Sequence, residues 1–235
     1  MIASAIFILG DKCGGVFEVV FITFFFFAQK YYFLLFLHVG FLNALKAITM
    51  IYLDEHIESI DVVAVLAEVS EQRRELAMRF LRESSRQQSL AAYLLLKKGL
   101  RMEYGIQENP ILAFTADGKP FIENRPDIHF NLSHSKTVAL CAISEQPVGA
   151  DVEVLRHVSA QLIDYTMNEE ERAWIQNSRN PDEAFMTLWT RKEAVLKLTG
   201  EGIRKDLKNV LDGNTLCQIE TVSARNYIYS IARFK

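Results

Sequence analysis

At 235 residues the chain is long enough for one large domain or two small ones, and half of its residues are hydrophobic, sufficient for a packed core. A formal net charge of -3 argues against a nucleic-acid binder, which would normally carry a basic patch. The three cysteines, Cys13, Cys141 and Cys217, are too scattered for a metal pair or a disulfide framework, and they fit a cytoplasmic protein.

Composition is uneven along the chain. Ten of the 16 phenylalanines fall in residues 1–49, four of them in the run Phe24-Phe25-Phe26-Phe27. Only Asp11, Lys12, Glu18, Lys30 and Lys46 carry charge there. A membrane span over residues 19–37 is interrupted by Gln29-Lys30 and falls short of the roughly 20 apolar residues a spanning helix needs. A signal peptide would need a basic start and a small-residue cleavage site, and both are missing. The remaining reading is a low-complexity, non-native extension of the kind that an over-extended start in T-rich DNA gives, with Met50 opening an ordinary soluble sequence. Residues 1–49 are therefore set apart as an apolar N-terminal segment, and a membrane partner is expected only if that segment is native.

Residues 50–69 mix apolar and polar positions without settling strand against helix. From Ser70, Leu76, Ala77 and Phe80 recur at helical spacing. A second helix is predicted over 87–104, closed by Gly105. Residues 111–115 read as a strand, followed by the turn signal Asp117-Gly118. Residues 128–132, 137–143 and 148–154 read as three further short strands. Asn168 with Glu171 three residues on has the pattern of a capping box. Asn180-Pro181-Asp182-Glu183 opens a long helix with a cap, a first-turn proline and acids at the positive dipole end, and Gly200 or Gly202 ends it. Residues 215–222 and 227–234 close the chain as a hairpin. The fold class is α+β, and the order of elements fits two similar halves, 50–145 and 146–235, with a ligand cleft between them.

Four short motifs carry chemistry. Asp151 and Glu153, at i and i+2 on a strand, point to one face about 6.6 Å apart, close enough for the longer Glu to share a cation with the Asp. A magnesium ion takes oxygens at about 2.0–2.1 Å. Two exposed acids on a strand edge are the plainer alternative. Trp189, Glu193 and Lys197 follow at i, i+4 and i+8 on one helix face, which reads either as a surface Glu–Lys pair or as an acid and a base held at a site. Lys192 lies about 100° round the helix from Glu193, either at the rim as a further contact to coenzyme A or outside the site. Gly118-Lys119-Pro120 presents a cation on a turn, and Asn131-Leu132-Ser133-His134-Ser135 ends a strand with hydroxyls and an imidazole suited to phosphate. A Ser–His nucleophile pair is disfavoured there, because neighbours on a strand face opposite sides. Glu171 has a capping role available. Arg73, Arg74, Arg79, Arg82 and Arg86 form a basic run that reads as a solvated face from which one or two side chains reach phosphate.

These motifs, DGKP, HFNLSHS, GADVE and WTRKEAVLKLTGEG in that order and spacing, resemble the surfactin-type 4′-phosphopantetheinyl transferases over about residues 70–205. The resemblance implies two α/β halves related by a pseudo-twofold axis, with the active site at their interface. It implies transfer of phosphopantetheine from coenzyme A to a serine of an apo acyl or peptidyl carrier protein, with Mg2+, releasing adenosine 3′,5′-bisphosphate. Residue by residue, it implies Asp151, Glu153 and Glu193 as metal ligands. Lys119, Pro120, Ser133 and His134 fall where the family holds the 3′-phosphate end of coenzyme A, and Lys197 where it meets the diphosphate. Glu193 is also the candidate base, and Glu171, with Glu170 as the second choice, falls where the family has a further acid near the metal. The arginine that the family offers to the 3′-phosphate falls near Gln88 here, so Arg86 is the nearest base. A monomer acting on a carrier protein is expected. The alternative is a module that binds coenzyme A or a carrier without turnover.

Overall fold

The computed structural model describes the backbone of residues 2–9 and 18–25, and residues 49–201, 206–213 and 216–235. The chain divides into two compact units, Met1–Lys46 and Ala47–Lys235. In the first, β1 (Ile2–Leu9) pairs antiparallel with β2 (Glu18–Phe25), from Ile2 opposite Phe25 to Leu9 opposite Glu18. The greater part of the candidate membrane stretch lies outside the described residues. Among the described residues no helix is long and apolar enough to cross a membrane.

The second unit opens on β3 (Met50–Asp54), and so resolves the ambiguous start of that region. Then come α1 (Val62–Glu68), capped by Asp61, α2 (Glu71–Met78), capped by Ser70, and α3 (Glu83–Tyr104). The third helix starts four residues before its expected position, since Glu83, Ser84, Ser85 and Arg86 extend it without a side-chain cap, and it ends at Gly105. A small hairpin of β4 (Leu112–Phe114) and β5 (Pro120–Ile122) follows. β6 (His129–Ser135) and β7 (Val138–Ser144) form a tight hairpin with β3 on the far side of β7, giving the order β3-β7-β6.

Every residue of β7 is buried, and its two faces serve different neighbours. Ala139, Cys141 and Ile143 pack with Leu90, Tyr93, Leu96 and Leu100 of α3. Val138, Leu140 and Ala142 pack with residues of β8 (Val148–Val154) and β10 (Tyr227–Phe234). Strand alternation explains this division, and burial on both faces explains why β7 reads as an unbroken apolar run. The second sheet has the order β8-β10-β9, with β9 at Cys217–Ser223. Between β8 and β9 run α4 (Ala160–Thr166), α5 (Glu169–Gln176) and α6 (Pro181–Thr199). The architecture is thus α+β, built from helices and small antiparallel sheets.

Helix α6 is seated against β8 and β10. Gly149 makes that approach possible: a Cβ there would stand 2.0 Å from the Ala194 carbonyl and 2.5 Å from the Leu198 amide. The helix ends at Gly200, in the left-handed region at φ 79°, which suits glycine.

Candidate active site

Two elements meet at the site, β8 from below and α6 from above. The strand presents Asp151 and Glu153, and the helix presents Glu193 and Lys197 one turn apart. Asp151 and Glu193 are buried, at 4% and 8% exposure. The Lys197 ammonium lies 2.6 Å from Asp151 Oδ1 and donates to Ser133 Oγ at 3.1 Å. Ser133 Oγ in turn donates to Asp151 Oδ1 at 2.8 Å and accepts the Val152 amide at 3.2 Å. Ser135 Oγ donates to Glu153 Oε2 at 2.6 Å and accepts the Val154 amide at 3.3 Å.

These strands are joined by an uncommon kind of rung. Asn131, Ser133 and Ser135, alternate residues of β6, accept the amides of Ala150, Val152 and Val154, alternate residues of β8. The alternation places the same side chains beside the acids of β8, so the motif NLSHS both joins the sheets and lines the site.

Electrostatics follow from burial. Desolvation raises the Glu193 carboxyl above its ordinary range, the Asp151 charge raises it further, and Lys197 pulls it back. Glu153 is raised by burial first, while the Ser135 hydrogen bond opposes the rise. Asp151 Oδ2 and Glu193 Oε1 are buried with no hydrogen-bond partner among the described residues. Orphaned buried carboxylate oxygens are costly and call for a cation or donor. The donor set is all oxygen and hard, the chemistry that suits magnesium. Yet among the described residues no three carboxylate, imidazole or thiol groups converge closely enough to hold an ion as they stand. The acids share one field, and an ammonium occupies one of them.

The phosphate candidates lie on several elements. Lys119 donates to the Leu198 carbonyl at 3.0 Å, at the C-terminal end of α6, and burial lowers its pKa. Pro120 begins β5 opposite Phe114. The His134 imidazole is driven below its ordinary value by desolvation, then by the Lys197 and Arg73 charges. Ser133 stands with the acids, its hydroxyl bonded to Asp151, the Lys197 ammonium and the Val152 amide. Arg86 donates through Nε to the Phe80 carbonyl at 2.9 Å, and Gln88 to the Lys136 carbonyl at 3.2 Å.

Two expectations are corrected. Lys192 is no rim residue: it is fully buried, and its ammonium donates to Glu171 Oε2 at 2.6 Å, the Leu207 carbonyl at 2.7 Å and the Thr166 carbonyl at 3.0 Å. All three of its protons are used, so none is left for coenzyme A. Glu171 closes the capping box with Asn168 and receives Lys192, which makes it the partner of that buried cation. Arg73 departs from the solvated-face reading. It is 8% exposed, donates to Ser89 Oγ at 2.8 Å and to the Ser89 carbonyl, and lies 5.1 Å over the Tyr93 ring. Burial lowers its pKa to about 10. This cation, whose charge also lowers the His134 pKa, reads in the sequence only as one member of a basic run.

The chain is similar in sequence to known proteins. Residues 58–146 match the family model described as 4′-phosphopantetheinyl transferase, N-terminal, and residues 147–232 the model of the 4′-phosphopantetheinyl transferase superfamily. The chain is 33% identical over 138 residues to the 4′-phosphopantetheinyl transferase gsp of Aneurinibacillus migulanus, covering 57% of each chain. It is 27% identical over 156 residues to the 4′-phosphopantetheinyl transferase Sfp of Bacillus subtilis (strain 168), covering 65% of this chain and 70% of the relative. It is 36% identical over 124 residues to the 4′-phosphopantetheinyl transferase HetI of Nostoc sp. (strain PCC 7120), covering 49% of this chain and 48% of the relative. The chain thus spans little more than half the length of gsp and about half that of HetI. Since adjoining matches to two models of one family run from residue 58 to residue 232, the chain belongs to the 4′-phosphopantetheinyl transferase superfamily.

Proposed function

We propose that the protein transfers 4′-phosphopantetheine from coenzyme A to a serine hydroxyl of an apo acyl or peptidyl carrier protein. The observation that carries this reading is the meeting of Asp151, Glu193 and Lys197 where β8 and α6 touch. The hydroxyl oxygen forms a bond to the phosphorus that bears pantetheine, the bond from that phosphorus to the bridging oxygen breaks, and adenosine 3′,5′-bisphosphate leaves. Such a transfer depends on alignment and charge neutralisation more than on covalent help. Glu193 is the group placed to take the serine proton, because a carboxyl raised by burial is a stronger base than an exposed one. Lys197 supplies positive charge to the diphosphate, and His134 and Lys119 hold the 3′-phosphate end. Asp151, Glu153 and Glu193 would hold Mg2+, which when bound supplies charge neutralisation at the diphosphate. The halves 50–145 and 146–235 are proposed as pseudo-twofold relatives with the cleft between them. A cytoplasmic monomer is the proposed state.

Purified protein is mixed with coenzyme A, Mg2+ and a panel of apo carriers, and the carriers are weighed. Gain of one phosphopantetheine on a carrier serine is expected, and no gain on any carrier of the panel overturns the reading. Asp151→Ala and Glu193→Ala are each expected to lower turnover by about 10²-fold or more, the scale for losing one electrostatic stabiliser. Near-wild-type turnover in both, with Mg2+ limiting, removes the metal assignment.

A further inference from the structure

One acid at the site, Asp151, is already paired with a cation of the protein itself. Lys197 holds Asp151 Oδ1 at 2.6 Å and shares Ser133 with it, while Asp151 Oδ2 and Glu193 Oε1 remain buried without a partner among the described residues. Among those residues the acids do not form a ready three-ligand cage. A divalent ion seated on Asp151 at about 2.0–2.1 Å would stand within a few ångströms of the ammonium, and like charges so close repel.

We propose that Lys197 is an internal cation that guards the acid cluster: it occupies Asp151 until a divalent ion displaces it. Ion binding and movement of Lys197 are then one event. The displaced ammonium needs a new anion, and the coenzyme A diphosphate is the anion that the proposed function brings to this place. The ion therefore binds poorly to the free protein and well to its complex with the anionic substrate, so the acids are kept from capturing an ion uselessly. The inference rests on the metal assignment made above, and it assigns Lys197 a role before the chemistry begins.

The alternative is that Lys197 and the ion share Asp151 without conflict, one on each oxygen. The two differ in sign for a single substitution. If the ammonium competes, removing it strengthens ion binding. If it merely accompanies the ion and holds Asp151 in place, removing it leaves binding unchanged or weaker.

The test is Mn2+ binding to the full chain without coenzyme A, read from the free-ion electron paramagnetic resonance signal at neutral pH. Wild type, Lys197→Met and Lys197→Arg are compared. Lys197→Met is expected to bind Mn2+ about tenfold or more tightly than wild type, a modest effect for removing a like charge a few ångströms away. Lys197→Arg keeps the charge and is expected to stay close to wild type. Equal or weaker binding by Lys197→Met overturns the guard role, as does absence of measurable binding in that variant. Should Lys197→Met fail to fold, Mg2+ titration of wild type decides the matter through the side-chain ammonium resonance of Lys197. That signal must move in step with ion occupancy, and a stationary signal overturns the proposal. Carrier modification is scored separately: a protein that modifies carriers and fails this titration keeps its function and loses only the guard.

Discussion

At the scale of single residues, the site is governed by how each buried charge finds a partner. Lys192 and Glu171 are the clearest case, with 0% and 10% side-chain exposure. Removing one member of a buried pair leaves the other uncompensated, at a cost of about 3–5 kcal/mol. Lys192→Met is therefore expected to lower stability on that scale in chemical denaturation, and Lys192→Met with Glu171→Gln to recover part of the loss. His134 offers a pH test. Its folded pKa lies below the ordinary 6.5 because of desolvation and two neighbouring cations. Below that ordinary value the unfolded chain takes up the proton more readily than the folded one. Stability is therefore present above about pH 6.5 and is lost as pH falls toward the folded pKa. The imidazole resonance, assigned with His134→Gln, should titrate below 6.5 in the free protein. The acids and Lys197 were legible in the sequence because i,i+2 and i,i+4 spacings fix a common face. Lys192 and Arg73 were not, because a long cation is buried only when distant carbonyls and hydroxyls happen to receive it.

At the scale of elements, the union of α6 with β8 depends on a missing side chain. Gly149→Ala would force its Cβ onto the helix backbone at Ala194 and Leu198, which cannot yield as a flexible side chain can. It is expected to lower stability by about 1–3 kcal/mol, the usual penalty of overpacking. It should also weaken turnover, because it separates the strand bearing Asp151 from the helix bearing Glu193. Retention of both the wild-type melting temperature and full activity would show that the two backbones are not in such close contact. The cap signals were reliable: Ser70, Asn168 and Asn180 each open a helix with a side-chain hydrogen bond. Beyond residue 69, two elements escaped notice. α4 spans only seven residues, with a single buried side chain and hence no apolar stripe. β5 is three residues long and begins with a proline, a residue that weakens any strand reading.

At the scale of the whole molecule, elements far apart in sequence are joined by more than the site. Tyr227 donates to Glu55 at 2.8 Å, and burial followed by that bond pushes its pKa up to about 12. Lys119 reaches the end of α6. Asn131, buried at 5% exposure, takes the Ala150 amide at 3.1 Å. Asn131→Ala would orphan that amide, at a cost of about 1–3 kcal/mol in chemical denaturation. An unchanged midpoint would mean that the amide finds another acceptor. No sequence pattern announced this connection, since Asn-x-Ser-x-Ser on a strand reads equally well as a solvent-facing row.

The side-chain rungs between β6 and β8 have a further consequence. Each strand is the last in its own sheet, and an outermost strand is ordinarily where a foreign polypeptide can add itself. Here three short polar groups occupy the amides that such an intruder would need. The molecule thereby seals the margin of β8 against self-association with the same atoms that border its chemistry.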